Sequence, residues 1–223
     1  MRKPLIAAIA SLPFFVLPAA ASADTSVGLR AGTLGGGIEL SQALSQRLAI
    51  RIAVDGYDSY SRKGTQSSIE YDATAKLQTG SLLGDWFPFA GNFRISAGAM
   101  YNGNKVTLKG KPTGGTFVIN GVTYQASDIG TLDGQVDFNT AAPYFGIGYG
   151  RPINGGLSLT FDLGVLFQGT PKSKLSATCG PATPAPTCSA LQSDVAAQQA
   201  QMDESLSKFK YYPVVSLGLA YTF

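Results

Sequence analysis

The residues with chemistry to offer are carboxylates and cations spaced two apart along extended segments. Glu70 and Asp72 share a strand face with Lys76, and Arg94, Asp137 and Asp162 recur in similar surroundings further on. Two carboxylates can divide general-acid and general-base roles when their environments push their proton affinities apart. This chain has no histidine, so it builds no Ser-His, Asp-His or zinc-His arrangement. Glu70 and Asp72 then read as ion-pair partners of Lys76 and Arg94, and the chain reads as a non-enzyme without metal or cofactor. Gly146, Gly148 and Gly150 spell G-x-G-x-G, but they fall inside a strand pattern and no helix follows to receive a phosphate. They read as places where a strand curves. Cys179 and Cys188 are the only cysteines. They stand among Pro181, Pro184 and Pro186 without basic neighbours and read as a disulfide.

The elements that position these groups belong to an exported chain. Arg2 and Lys3 precede an apolar run from Leu5 to Leu17 and a small-residue stretch ending at Ala23, the pattern of a secretory signal peptide. That run is shorter than the ~20 residues a helical span needs, and Pro13 and Pro18 interrupt it. Cleavage after Ala21-Ser22-Ala23 makes residues 1–23 a leader and leaves 24–223 as one domain. Export removes two of the 17 basic residues, bringing the balance close to the 14 acidic ones. Nucleic acid and other polyanions lose their electrostatic basis as partners.

Past the leader the dominant signal is alternation. Tyr211, Pro213, Val215, Leu217, Leu219, Tyr221 and Phe223 make one apolar face of a final strand, and the face between them is small or polar. Leu157 to Phe167 repeats the pattern. Further strands read as Leu48 to Tyr60, Ile69 to Leu83, Phe93 to Leu108 and Val136 to Arg151, the last bulged at Pro143, which cannot donate to a ladder. The apolar parity of Val27 to Leu44 switches across Leu34-Gly35-Gly36-Gly37, which splits it into two strands joined by a tight turn. Eight strands follow, an even count that puts both termini on the periplasmic side. The fold class is all-β, an eight-stranded antiparallel up-and-down transmembrane barrel.

The connections fit that reading. Short periplasmic turns fall near Ser45, at Trp86 to Asn92 and at Pro152 to Gly156, and longer extracellular loops at Ser61 to Ser68, Lys109 to Gln135 and Lys174 to Lys208. The last loop carries a short helix, with Ser189 as N-cap, Gln192 three residues on and a stripe of Leu191, Val195, Met202 and Leu206 against the barrel mouth. Phe117 to Tyr124 around Asn120-Gly121 reads as a hairpin above the membrane. Aromatics gather at both ends: Trp86, Phe93, Tyr149, Tyr221 and Phe223 at the periplasmic side, Tyr60, Tyr71, Tyr101, Phe167 and Tyr211 at the outer side. Tyr211 and Tyr221 are ten residues apart. At ~3.3 Å per residue and a tilt near ~40° this spans roughly 25 Å, the height of an outer-membrane apolar band.

The faces turned away from lipid are read to carry Arg30, Arg51, Lys76, Arg94 and Lys210 against Glu39, Asp55, Glu70, Asp72, Asp137 and Asp162. An eight-stranded barrel is only wide enough for side chains to fill it, so these groups must pair across the lumen. Two readings stay open, a structural salt-bridge plug and a narrow polar path whose acidic members greet a cationic solute.

Several segments resemble a known family. Gly32-Thr33-Leu34-Gly35, Phe117-Val118-Ile119-Asn120-Gly121, Asp133-Gly134-Gln135-Val136, Ala142-Pro143-Tyr144-Phe145-Gly146 and Gly169-Thr170-Pro171-Lys172 are similar to CarO-type proteins, small outer-membrane barrels associated with ornithine and basic amino-acid uptake in Gram-negative bacteria. These are turn and strand signatures rather than catalytic motifs. The resemblance implies an outer-membrane barrel that passes small, cationic, ornithine-like solutes through a narrow passive channel. The rival is a non-conducting structural or surface-interaction barrel. The expected partners are outer-membrane lipid and, through the terminal strand with Tyr221 and Phe223 as assembly signal, the barrel assembly machinery.

Overall fold

The computed structural model describes residues 24–66, 69–153 and 155–223; the leader and its cleavage site lie outside them. In chain order its strands are β1 (Thr25–Gly32), β2 (Gly35–Ser45), β3 (Leu48–Gln66), β4 (Ile69–Trp86), β5 (Phe93–Asn102), β6 (Lys105–Pro112), β7 (Thr116–Ile119), β8 (Val122–Gln125), β9 (Ile129–Asp137), β10 (Ala141–Tyr149), β11 (Gly156–Leu166), β12 (Lys172–Cys179) and β13 (Tyr212–Thr222). One helix, α1 (Ala185–Leu206), precedes the last strand.

Eight strands, β1 to β5 with β10, β11 and β13, pair antiparallel in that order, and the sheet closes where β1 meets β13. Closure leaves no unpaired edge in the bilayer, which a chain in hydrocarbon requires. The period-two pattern decides the faces. In β13 Pro213, Val215, Leu217, Leu219 and Tyr221 point out, while Val214, Ser216, Ala220 and Thr222 are buried inside. Leu29, Ile38, Ile52, Leu82, Ile147 and Leu217 keep between 42% and 68% of their surface exposed. An apolar exterior this continuous is a lipid-facing wall, and the chain is an integral barrel of the bacterial outer membrane. Trp86, Phe93, Tyr149, Tyr221 and Phe223 ring one end, where the Phe223 amide donates to the Thr25 carbonyl at 2.9 Å and joins the two ends of the barrel sheet. Tyr101, Phe167 and Tyr211 are exposed toward the other end, the last two in edge-to-face contact at 5.5 Å. The side chains of Tyr60 and Tyr71 lie outside the described ones.

The barrel wall does not stop at the outer girdle. Thr79 faces Asn102 and Lys76 faces Lys105, three residues further along each strand, so β6 continues β5 in the same register along β4. At the joint the Gly103 amide donates to the Gln78 carbonyl at 2.8 Å, and the Gln78 amide donates to Asn104 Oδ1 at 2.9 Å, a side chain standing in for a backbone acceptor. β9 runs on into β10 in the same way, since Lys105 faces Asp137 and Tyr101 faces Ala141. The expected strands Phe93 to Leu108 and Val136 to Arg151 are therefore each two strands in line, broken at the membrane exit. Pro143 makes no bulge: its pairing with Ala99 lies in an unbroken register, and its carbonyl accepts from Phe167 at 2.9 Å. Its missing N–H falls toward β11 just past the last residue pair of that ladder, Tyr144 with Leu166, a position that tolerates proline.

β6, β9 and β12 thus extend one side of the barrel into an extracellular wall. The β7–β8 hairpin turns through Asn120 (φ 50°) and Gly121 (φ 78°), the paired left-handed residues of a two-residue turn. Helix α1 is longer than the short helix expected. It begins at Ala185 after Pro184, so Ser189 lies inside it rather than capping it, because Pro186 fits the first turn, where its absent N–H has no intrahelical partner to lose. The disulfide Cys179–Cys188 joins the end of β12 to that first turn.

Candidate functional site

Between the girdles the lumen is filled by a network of three guanidiniums and four carboxylates. Arg51, on β3, is buried with 1% exposure and holds two carboxylates by both edges of its guanidinium. It donates to Asp85 through Nε at 3.0 Å and Nη2 at 3.1 Å, and to Asp162 through Nη1 at 2.7 Å and Nη2 at 3.0 Å. Arg94 reaches Asp162 at 2.9 Å and the Gly150 carbonyl at 2.5 Å. Arg30 grips Asp55 with Nε at 2.6 Å and Nη2 at 2.5 Å, and Glu39 stands between Arg30 and Arg51 at 3.6 Å and 3.5 Å. Ser96 donates to Asp85 at 2.5 Å and Ser216 to Asp162 at 3.4 Å. These groups come from β1, β2, β3, β4, β5, β11 and β13, so the network laces the barrel across its width.

Small residues make the space. A Cβ at Gly148 would lie 2.8 Å from both Arg94 Nε and Asp162 Oδ1. One at Gly146 or Gly164 would lie 2.5 Å or 2.4 Å from the Tyr144 hydroxyl. The G-x-G run therefore admits large side chains into the lumen, a more specific role than curvature. Toward the outer mouth an apolar layer of Leu34, Leu83, Met100, Ala142, Tyr144, Leu166 and Val214 lies over the ions. Toward the periplasm the Arg151 guanidinium donates to the Ala90 and Gln46 carbonyls and lies over the Phe87 ring, tying the short turns together. The space beside Glu39, Asp85 and Arg94 amounts to about 10 Å³, room for one water.

Of the charges read as lumen-facing, the structure brings together Arg30, Glu39, Arg51, Asp55, Arg94 and Asp162. It does not bring in the other five. Glu70, Asp72 and Lys76 lie on β4 with the parity of Leu82 and Trp86, which face lipid, above the membrane rather than inside the barrel. Asp137 ends β9 in the extracellular wall and Lys210 is exposed ahead of β13. The error has one cause: charge marks the inward face only where the outside is lipid, and beyond the girdle both faces meet water. Asp85 was missed because it lies two residues past Leu83, where the expected strand ends, and on the parity opposite to Glu70 and Asp72. Its odd parity, shared with Thr79, Ser81 and Leu83, was the signal that could have found it.

No protein-family model and no curated protein matches the chain. Among solved structures, Acinetobacter baumannii CarO superposes with a TM-score of 0.58 at 22% identity, over 89% of this chain and 97% of that one. Acinetobacter baumannii CarO2 gives 0.57 at 17%, over 90% and 98%. The fold is CarO-like.

Within this CarO-like barrel the extracellular wall carries its own polar construction. The free edge of β12 is covered by α1: Asp203 accepts from the Ser173 amide and hydroxyl, each at 2.7 Å, Gln199 accepts from the Leu175 amide at 2.9 Å, and Gln192 donates to the Ala177 carbonyl at 2.8 Å. Side chains of one helix face thus satisfy an edge that would otherwise invite another strand. The Ser173 amide and hydroxyl hold the Asp203 carboxyl below the usual carboxylate range. Leu191 and Val195 pack with Ile119, Tyr124, Ile129 and Ala177, so the helical stripe meets the hairpin and wall rather than the barrel mouth. Tyr124 donates to Asp194 at 2.5 Å and Asn120 Nδ2 to the same carboxylate at 3.1 Å. The bond to Asp194 pushes the Tyr124 hydroxyl up to about 12, and the same bond, with that from Asn120, holds Asp194 low.

Proposed function

We propose that this protein is a barrel closed at rest, working through its extracellular face rather than as a standing pore. The reading is carried by Arg51, completely enclosed and bound to Asp85 and Asp162 across the lumen. If opening leaves one such charge unpaired, it costs about 3–5 kcal/mol, an open fraction on the order of 10⁻² to 10⁻⁴. Planar-bilayer recording of the refolded chain is expected to show open steps for no more than about 1% of the record, and Arg51→Ala to raise that share. A parent protein open for most of the record would reverse this reading.

A second reading, a narrow path for small cationic, ornithine-like solutes, is favoured by the surplus carboxylate of the network and by a polar seam. Thr79 Oγ1, Ser81 Oγ and Asn102 Nδ2 are buried and make no hydrogen bond among the described residues. On that reading Asp162→Asn lowers cation preference in a reversal-potential measurement and slows ornithine uptake into proteoliposomes, while Asp72→Asn, outside the lumen, changes neither.

Residues 1–23 as leader, 24–223 as the mature barrel and Tyr221 with Phe223 as the signal to the assembly machinery complete the proposal. Deleting Phe223 is expected to reduce the heat-modifiable folded band in outer-membrane fractions more than deleting one residue of the loop between β12 and α1. Equal bands would remove the signal.

A further inference from the structure

The outer face of the extracellular wall carries a charge pattern that the sealed lumen does not use. Parity runs unbroken from barrel into wall: Lys105, Lys109 and Lys111 continue the side of Tyr101, and Lys76 that of Leu82. These side chains stand on the upward continuation of the lipid-facing surface. Gly80 pairs with Tyr101 of the outer girdle, and Lys76 lies four residues beyond it, roughly 10 Å higher for a strand tilted near ~40°. That is the level of lipid headgroups.

The rung nearest the bilayer reads Lys76, Lys105, Asp137, Lys172 across four strands. Two ammonium groups directly opposed repel each other, and neither Lys76 nor Lys105 has an ion-pair partner among the described residues, while Asp137 is drawn to Lys174 at 3.5 Å. The rung calls for an anion from outside. Above it the face is hollow, with about 710 Å³ lined by Lys63, Glu70, Asp72, Lys109, Lys111 and Asp133, and a neighbouring hollow of about 270 Å³ that includes Gln135 and Lys174. Carboxylates would weaken a site for bare phosphate, but a carboxylate is an acceptor for sugar hydroxyls, and so is the amide oxygen of Gln135, whose nitrogen donates to Asp137.

We propose that this concave face holds the phosphorylated saccharide headgroup of an outer-leaflet glycolipid, the ammonium groups of Lys76, Lys105, Lys109 and Lys111 taking phosphates and Asp72, Asp133 and Gln135 taking hydroxyls. The inference is independent of whether the lumen conducts. Basic residues near an anionic headgroup surface contribute additively, and salt screens them.

The test uses the full mature chain refolded in zwitterionic detergent, titrated with deep-rough lipopolysaccharide and with its dephosphorylated form. Lys76→Gln with Lys105→Gln, and separately Lys109→Gln with Lys111→Gln, are expected to weaken binding by about tenfold or more while keeping the heat-modifiable folded band. Lys208→Gln with Lys210→Gln, outside the wall, is expected to change it less than about twofold. The dephosphorylated glycolipid is expected to bind as weakly as the variants bind the parent lipid. Equal affinity across all variants would overturn the site. Full competition by millimolar inorganic phosphate would overturn the headgroup assignment in favour of a soluble-anion site.

Discussion

Two sets of charges occupy successive stretches of the same wall and have opposite fates. In the barrel, Arg51, Asp85 and Asp162 sit at 1% to 4% side-chain exposure and bond at 2.7 to 3.1 Å. A few turns of ladder higher, Lys63 and Asp72 meet at 3.5 Å with 81% and 38% exposure. Both sets pair a cation with a carboxylate, but Lys63 and Asp72 are direct cross-strand partners, whereas the Arg51 guanidinium reaches from β3 across the lumen to Asp162 on β11. The difference lies in what surrounds them. In the lumen neither side of a pair can return to water, so the network must be complete or the barrel loses much of its stability. On the wall each charge keeps its hydration, so pairing is optional and an outside ligand can compete for it.

Removing one partner on each side of the girdle breaks the comparison most sharply. Arg51→Ala leaves Asp85 and Asp162 buried without their cation and is expected to cost about 3–5 kcal/mol. Lys109→Ala on the wall is expected to cost less than about 0.5 kcal/mol. Equilibrium urea unfolding of the refolded barrels in one detergent measures both. Similar losses from the two variants would show that the lumen is hydrated enough to screen its ions.

The sequence made the barrel legible because lipid on one side and a packed lumen on the other force strict alternation. β13 and β11 were read almost to the residue, and the parity change across Leu34 to Gly37 located the β1–β2 turn, with Gly35 at φ 101°. The lumen network was legible only in part. Arg30, Arg51, Arg94, Glu39, Asp55 and Asp162 lie in strands whose apolar face is unmistakable. Glu70, Asp72, Lys76 and Asp137 lie where β4 and β9 have already left the bilayer, and there alternation no longer says which side is inside. The coaxial joints at Gly103-Asn104 and before Ala141 depend on a side chain replacing a backbone acceptor and on pairing between distant segments. Neither leaves a periodic trace.

A smaller effect is expected where the wall is held by covalent closure rather than by charge. Replacing Cys179 and Cys188 together by serine releases the first turn of α1 from β12 and is expected to lower local stability by about 2–3 kcal/mol, since a short closed loop is opened. Hydrogen exchange in α1 and β12 should rise while the heat-modifiable transition of the barrel stays in place. A shift of the barrel transition by the same amount would mean that wall and barrel unfold as one unit, and the contrast between the two regions would then describe solvation alone, not independent stability.

The smallest effect concerns the hydrogen bond that seats the hairpin on α1. Tyr124 donates to Asp194 at 2.5 Å, so the bond exists only while the phenol keeps its proton and the carboxylate has lost one. The Tyr124 hydroxyl is raised to about 12 by that bond. A raised value means the folded state holds the proton more tightly, so the contribution is complete below the ordinary tyrosine value near ~10 and is lost as pH climbs toward 12. Asp194 is lowered by its bonds from Tyr124 and Asn120. Its contribution is present above the ordinary carboxylate value near ~4 and is lost as pH falls through the depressed one. The hairpin should therefore be held firmly between these limits and loosen outside them, without involving the barrel. Subtracting the ultraviolet titration of Tyr124→Phe from that of the parent isolates one phenol, expected to ionise near 12. Ionisation near 10 would mean that the hairpin does not rest on the helix in solution, and α1 would then brace only the β12 edge, through Gln192, Gln199 and Asp203.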